Sequence, residues 1–393
     1  MRADAWGVIY LDCNATTPIL PEVLEAMLPW LKDGYGNPSG SHALGRRARG
    51  AIDVAREQVA GLIGAKPDEV VFTSGGTESV NTALHCFDRL AGSGRAVVSA
   101  IEHSAVLRTV ESLEREVWLA PVGADGVLDL ERFEAGLAGA AFVSVMTANN
   151  ETGVLQPVAE VARLGRERGL AVHTDAVQAA GKVAIDVRET GVDTLSLSAH
   201  KFHGPKGVGA LFVRKGLRFE PLLRGGGQER GLRSGTENTA GIVGMGAAAE
   251  AARKFLADGG GGRIAEMRDA FEKRVMASLS GVVANGDPAK RLPNTSHLSF
   301  DGCDSAGLLV LLDDAGVACS AGSACMAGKS KPSHVQLAMG IPGKRARSSL
   351  RVSFSRLNTL AEAEEAAGLV VRAVEKLRSV QGPGVGPVVV YTS

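Results

Sequence analysis

A chain of 393 residues with 43 basic and 43 acidic side chains carries no net charge, so no global field draws it to nucleic acid or an anionic membrane. Three tyrosines and three tryptophans are too few for stacking platforms along a single strand, and the length exceeds one small core. No apolar run approaches the ~20 residues of a membrane span. The start, Met1-Arg2-Ala3-Asp4-Ala5-Trp6, lacks the build of a signal peptide, and the five scattered cysteines include no CxxC pair, which argues against a disulfide framework or a zinc site. A cytoplasmic enzyme acting on a small molecule, without metal, is the expectation.

In chain order, short β-branched runs at 69–72, 96–99, 117–120, 142–146, 171–173, 194–198 and 208–213 predict strands, with helical patterns such as 158–168 between several of them. That alternation predicts an α/β fold with a mostly parallel central sheet and helices on both faces. Ligands are then expected beyond the strands' carboxyl ends. A glycine run at 259–262 follows a small-residue helix (241–252) and precedes a charged amphipathic one (264–279), which predicts a boundary. Strands at 296–300, 316–320 and 350–353 and helices at 305–312 and 360–377 form a compact α+β unit. The larger unit is expected over 15–260 and the smaller over 1–14 with 261–393. The tail 381–393, rich in Gly, Pro and Val, reads as loosely held.

Several polar groups fall where such a sheet would gather them. Ser198-Ala199-His200-Lys201 follows a strand, and an amine there can hold an aldehyde cofactor such as pyridoxal phosphate as a Schiff base; alone, such a lysine is more often a solvated loop residue. Thr73-Ser74-Gly75-Gly76-Thr77-Glu78-Ser79 reads as strand end, glycine turn and helix start, so the amides of Gly76 and Thr77 form a phosphate cradle or merely a capped turn. Asp175 ends the strand before Ala176-Val177-Gln178, placed to pair with a pyridine nitrogen or to cap a turn. His103 and the segment Asn149-Asn150-Glu151-Thr152-Gly153 likewise follow strands.

Together with Asp12-Cys13-Asn14-Ala15-Thr16-Thr17, Gly36-Asn37-Pro38-Ser39, Arg233 to Thr236 and Gly322-Ser323-Ala324-Cys325, these segments resemble the cysteine desulfurases of the NifS/IscS group. Those are fold-type I pyridoxal-phosphate enzymes of the class V aminotransferase family, and the likeness runs in order from about residue 9 to about residue 355. It implies a desulfurase that converts L-cysteine to L-alanine, holding the sulfur as a persulfide on Cys325 for an acceptor protein such as an iron–sulfur scaffold. Lys201 is then the Schiff-base lysine, Asp175 and Gln178 hold the ring nitrogen and phenolic oxygen, and His103 stacks on the ring. Gly76, Thr77, Ser198 and His200 bind the phosphate, joined by Thr236 from a second subunit in a homodimer. Asn150 lies near the cofactor's oxygen and the substrate, Arg351 clamps the substrate carboxylate, and Asn37 is a further substrate contact.

Small residues around Cys325 suit a travelling nucleophile. Three departures from the family pattern stand out: Met326 beside that cysteine, Cys13 in place of a frequent asparagine, and Cys319 six positions before it. Two rivals are another class V enzyme, such as an aminotransferase or selenocysteine lyase, and a non-catalytic sulfur-relay or scaffold subunit. A transaminase needs no thiol on a small-residue loop.

Overall fold

The computed structural model describes residues 7–321 and 332–381. Strands β1 (Ile9–Tyr10), β2 (Val70–Thr73), β3 (Arg95–Ser99), β4 (Val117–Ala120), β5 (Ala140–Ser144), β6 (Ala171–Asp175), β7 (Thr194–Ser198) and β8 (Gly209–Val213) are followed by β9 (Val282–Ala284), β10 (Thr295–Phe300), β11 (Val317–Ala318) and β12 (Ser349–Ser353). Seven of them form the central sheet in the order β2-β8-β7-β6-β5-β3-β4. Only β8 runs against its neighbours, pairing antiparallel with β2 and β7, while β3, β4, β5, β6 and β7 pair parallel. The α/β sheet read from the sequence is therefore present, with one reversed strand that periodicity has no means of revealing.

Alternation along each strand sends side chains to two faces. Val97, Val143, Val172 and Leu195 enter a large core with the helices Ala43–Ile63, Val158–Glu167 and Thr239–Ala257, whereas Ala96, Val98 and Phe142 pack opposite with Gly76–Leu90 and Ser104–Glu111. Both faces are covered. Burial on both faces explains why these strands read as near-continuous apolar runs.

A second core gathers Ile264, Met267, Phe271, Leu298, Phe300, Leu308, Leu350, Val352, Val370 and Val374 with Ile9 and Leu11 from the start of the chain. Its antiparallel sheet has the order β12-β10-β9, and β1 runs parallel to β11. Residues 9–13 thus join strands more than three hundred residues away, with Asp12 bridging to Ser353.

The glycine run at 259–262 forms the turn between two helices. Gly259 takes a left-handed conformation (φ 72°), and the next three glycines already form the first turn of the helix Gly260–Ser278. A Cβ on Gly260 would lie 2.4 Å from the Phe255 ring, so the run is a tight elbow between two packed helices.

Candidate active site

Because β2 and β7 both oppose β8, the strands β2, β3, β5, β6 and β7 share one direction, and the residues that follow them collect at one edge of the sheet. β7 delivers Ser198 and then a single 3-10 turn, Ala199–Lys201. Lys201 Nζ donates to the carbonyls of Asn14 (2.6 Å) and Ala15 (2.8 Å). Burial, and next the Arg351 guanidinium, bring its amine down to about 8 against the opposing pull of Asp175 and Asp12. An appreciable share is therefore neutral near physiological pH, the form that attacks a carbonyl.

β6 ends at Asp175, which is buried and accepts from the Val177 amide at 2.9 Å. Burial raises its carboxyl, while His103 and Lys201 pull it back. His103 itself caps the helix Ser104–Glu111, taking the Ala105 amide on Nδ1 at 3.2 Å, and desolvation lowers its pKa. Its ring opens on a cleft of about 310 Å³ shared with Thr77, Asn81 and Arg108. Just before it, Glu102 is wholly buried, accepts from Ser99 Oγ (2.6 Å) and the Met146 amide (2.7 Å), and is pushed up by burial to about 8.

β2 leads through Ser74 and Gly75 into the 15-residue helix Gly76–Leu90, whose N-terminus no side chain caps. Its first backbone bond runs from the Ser79 amide to the Gly75 carbonyl, which leaves the amides of Gly76 and Thr77 to an outside acceptor. A Cβ on Gly76 would sit 2.6 Å from Val177, so only glycine lets this turn lie against the exit of β6. Ser198 is buried beside it, and His200 shares a 3.2 Å bond with Thr16 Oγ1 and is lowered by burial to about 4. Uncapped amides, a hydroxyl and a neutral imidazole are a donor set that fits a phosphate. A nearby carboxylate and a partly neutral lysine fit the ring nitrogen and aldehyde of pyridoxal phosphate.

The second unit contributes Arg351 from β12. It is buried, donates to the Asn150 carbonyl (2.9 Å) and pairs with Asp12 (2.6 Å), and its Nε has no partner among the described residues. Gln178 is buried too, its Nε2 donating to the Asn14 carbonyl at 2.9 Å.

Two expected residues are not brought to this edge, and a third is not among the described residues. Asn37 is exposed and its carboxamide accepts from the Ser39 amide in its own turn. Thr236 is exposed as well, between Arg233, paired with Glu78 (2.9 Å), and Glu237, paired with Arg49 (2.7 Å). Cys325 lies outside the described residues. Cys319 is half-buried and Cys13 buried, and burial raises both thiols to about 12.

Sequence reasoning gave no role to Asp12, Asn14, Lys182 or Glu102. Asn14 is a hub: it bonds Thr295, Asn150, Asn294, Lys182, Gln178 and Lys201 through its side chain and carbonyl. The available signal for Lys182 was its place four residues after Gln178.

The sequence model for class-V aminotransferases matches residues 9–365. The chain belongs to the class-V aminotransferase family. This class-V chain is 48% identical over 379 residues to the cysteine desulfurase of Cereibacter sphaeroides, covering 94% of itself and 97% of that relative. A solved NifS-like protein matches it with a TM-score of 0.86 at 37% identity, over 95% of this chain and 100% of the other. A structure of SspA in complex with cysteine matches with a TM-score of 0.76 at 35% identity, over 88% and 98%. By sequence and fold it is an enzyme of the cysteine desulfurase kind, and such enzymes depend on pyridoxal phosphate.

Proposed function

We propose that the chain binds pyridoxal phosphate and uses it to convert L-cysteine to L-alanine, with the sulfur passing to Cys325. The observation that carries this reading is the convergence of a depressed lysine amine, a buried aspartate and a buried arginine with an unpartnered Nε at one sheet edge. Lys201 would hold the cofactor's aldehyde carbon. Asp175 would face its ring nitrogen, His103 its ring face, and Gln178 and Asn150 its phenolic oxygen. The amides of Gly76 and Thr77, with Ser198 and His200, would hold the phosphate. When bound, the cofactor supplies an electron sink for negative charge at the substrate's Cα.

The remaining work falls to this chain. Arg351 receives the substrate carboxylate in its planar fork, for which Asp12 now stands in. Lys201, poised near neutrality, carries the proton leaving Cα. A Cys325 thiolate takes the substrate sulfur: the C–S bond breaks, an S–S bond forms, and carbon gains a proton. Overall, L-cysteine and the Cys325 thiol give L-alanine and a Cys325 persulfide, which balances atoms and electrons. Cys13 and Cys319, with thiols near 12, are poor competitors.

A homodimer is supported by exposed Thr236 set between two ion-paired neighbours, and by Leu24, Leu28 and Leu31 exposed along one helix. A protein acceptor would then collect the sulfur. Among the described residues no helix is long and apolar enough to cross a membrane, and four cysteines are free thiols, which supports a reducing, cytoplasmic setting. The two separate cores support a division into a cofactor unit and a smaller unit near residue 260.

The deciding experiment is a single turnover with sulfur-labelled L-cysteine, alanine quantified and peptides mapped. Label on Cys325 with stoichiometric alanine is expected, and Cys325→Ala should keep the cofactor but release no sulfur to an acceptor. Label on Cys319 with Cys325 unmodified, or desulfurase activity surviving in Cys325→Ala, overturns the assignment.

A further inference from the structure

Lys182 follows four residues after Gln178, in the run of tight turns that leaves β6, and is only 7% exposed. A buried ammonium costs several kcal/mol unless its protons are taken up, so its partners define its purpose. Lys182 Nζ donates to Gln178 Oε1 at 2.8 Å and to Asn14 Oδ1 at 3.3 Å. Gln178 Nε2 in turn donates to the Asn14 carbonyl, the same oxygen that receives Lys201 Nζ at 2.6 Å. Two lysines therefore meet across one asparagine and one glutamine.

In its protonated form the Lys182 amine has donors only, which selects the Gln178 oxygen as the amide atom that faces it. That fixes the direction of the Gln178 side chain, leaving its second Nε2 proton for an acceptor in the site. Asn14 is held the same way: its Oδ1 takes Lys182 and Asn294, its Nδ2 gives to Thr295 and Asn150, and its carbonyl is left for Lys201 and Gln178.

We propose that Lys182 is a positioning residue for the desulfurase reaction: its two hydrogen bonds fix the Gln178 amide as a donor into the site and hold the Asn14 carbonyl that receives the Lys201 amine. The inference rests on the reading of Lys201 and Gln178 given above. Lys182 acts on the site through Gln178 and Asn14, the two side chains its amine bonds. The charged or titratable groups around it are Lys201, Arg351 and the Cys13 thiol, while the Arg268 and Arg291 side chains that share its outer cleft are engaged by Asp269 and Glu272. Burial and Lys201 bring its own amine down to about 7.

The test uses the cofactor-loaded enzyme and Lys182→Met, which keeps the volume of the side chain and removes its donors. The pH midpoint of the cofactor's visible band should shift by about one unit, because an amide free to turn no longer donates to the phenolic oxygen in every molecule. The turnover number should fall on the order of tenfold to a hundredfold with KM for cysteine little changed. In a Gln178→Ala background the same change should cost much less, since the pathway through the amide is already gone. Lys182→Arg, which restores donors, should recover part of the shift; if Lys182→Met does not fold, Lys182→Leu, which also lacks donors, takes its place with the same expectation.

A Lys182→Met enzyme with wild-type spectrum and turnover, or equal, additive losses in the two backgrounds, would overturn the proposal while leaving the function intact. A wild-type protein with no Lys201-dependent visible band would instead overturn the function.

Discussion

The carboxyl edge of the central sheet and the segment 225–238 hold their polar groups in opposite ways. At the edge, strands fix the backbone, and Asp175, Gln178 and Lys201, each within a few residues of a strand end, find main-chain partners. In the segment, ion pairs fix the backbone. Arg56 grips Glu229 with two bonds of 2.7 Å, the same carboxylate takes the Phe72 amide at 2.8 Å, and Glu229 and Arg230 adopt left-handed φ values of 46° and 57°. With Arg233–Glu78 and Glu237–Arg49 on either side, the chain between them is held while Thr236 faces out. Strand ends aim side chains inward for chemistry within one chain, whereas a salted-down loop offers one outward to something else.

Lys201→Ala is the sharpest test of the edge. It should abolish turnover and the borohydride-reducible link to the cofactor, as read by mass spectrometry of the reduced protein. A link surviving on another residue would break the account of the edge.

Arg56→Ala strikes the segment. Removing one member of a buried pair strands a charge and typically costs about 3–5 kcal/mol, so urea unfolding should move by that order. A variant as stable as wild type would show that the left-handed turn at Glu229 holds without its anchor.

Arg351→Ala should raise KM for cysteine with cofactor content unchanged, since loss of a charge-assisted carboxylate pair costs about 2–5 kcal/mol. A KM within about twofold of wild type, far below that range, would place the carboxylate elsewhere.

The smallest effect is expected for Thr236→Ala, where one hydrogen bond to a charged group is worth about 1.5–3 kcal/mol of cofactor affinity. Mixed with Lys201→Ala subunits, it should regain wild-type affinity at one site of each heterodimer. If exchange is verified and affinity stays low, Thr236 does not serve a second copy.

Much of this was legible beforehand for a definite reason. Strands buried on both faces carry apolar runs with little else in them, so 96–99 and 194–198 coincide with β3 and β7 to within a residue. Glycine turns and strand-end carboxylates are local signals, which is why Gly76, Asp175 and Lys201 stand out in the chain. The glycines at 259–262 mark a break in the chain, but that the break is a tight elbow against Phe255 shows only once the next helix is in place.

The order of residues alone determined the chemistry on offer: an amine, a carboxylate and an amide cradle, each at the end of a strand of known direction. Tertiary structure alone decided that β8 is reversed, that Asp12 and Asn14 reach Arg351, Asn294 and Thr295 about three hundred residues on, and that Lys182 and Lys201 share an asparagine. Those are contacts between residues whose spacing has no period. Hydrophobic patterning reports only which face of an element is buried, whereas the partner of a buried polar group is chosen by what else arrives there when the two cores close.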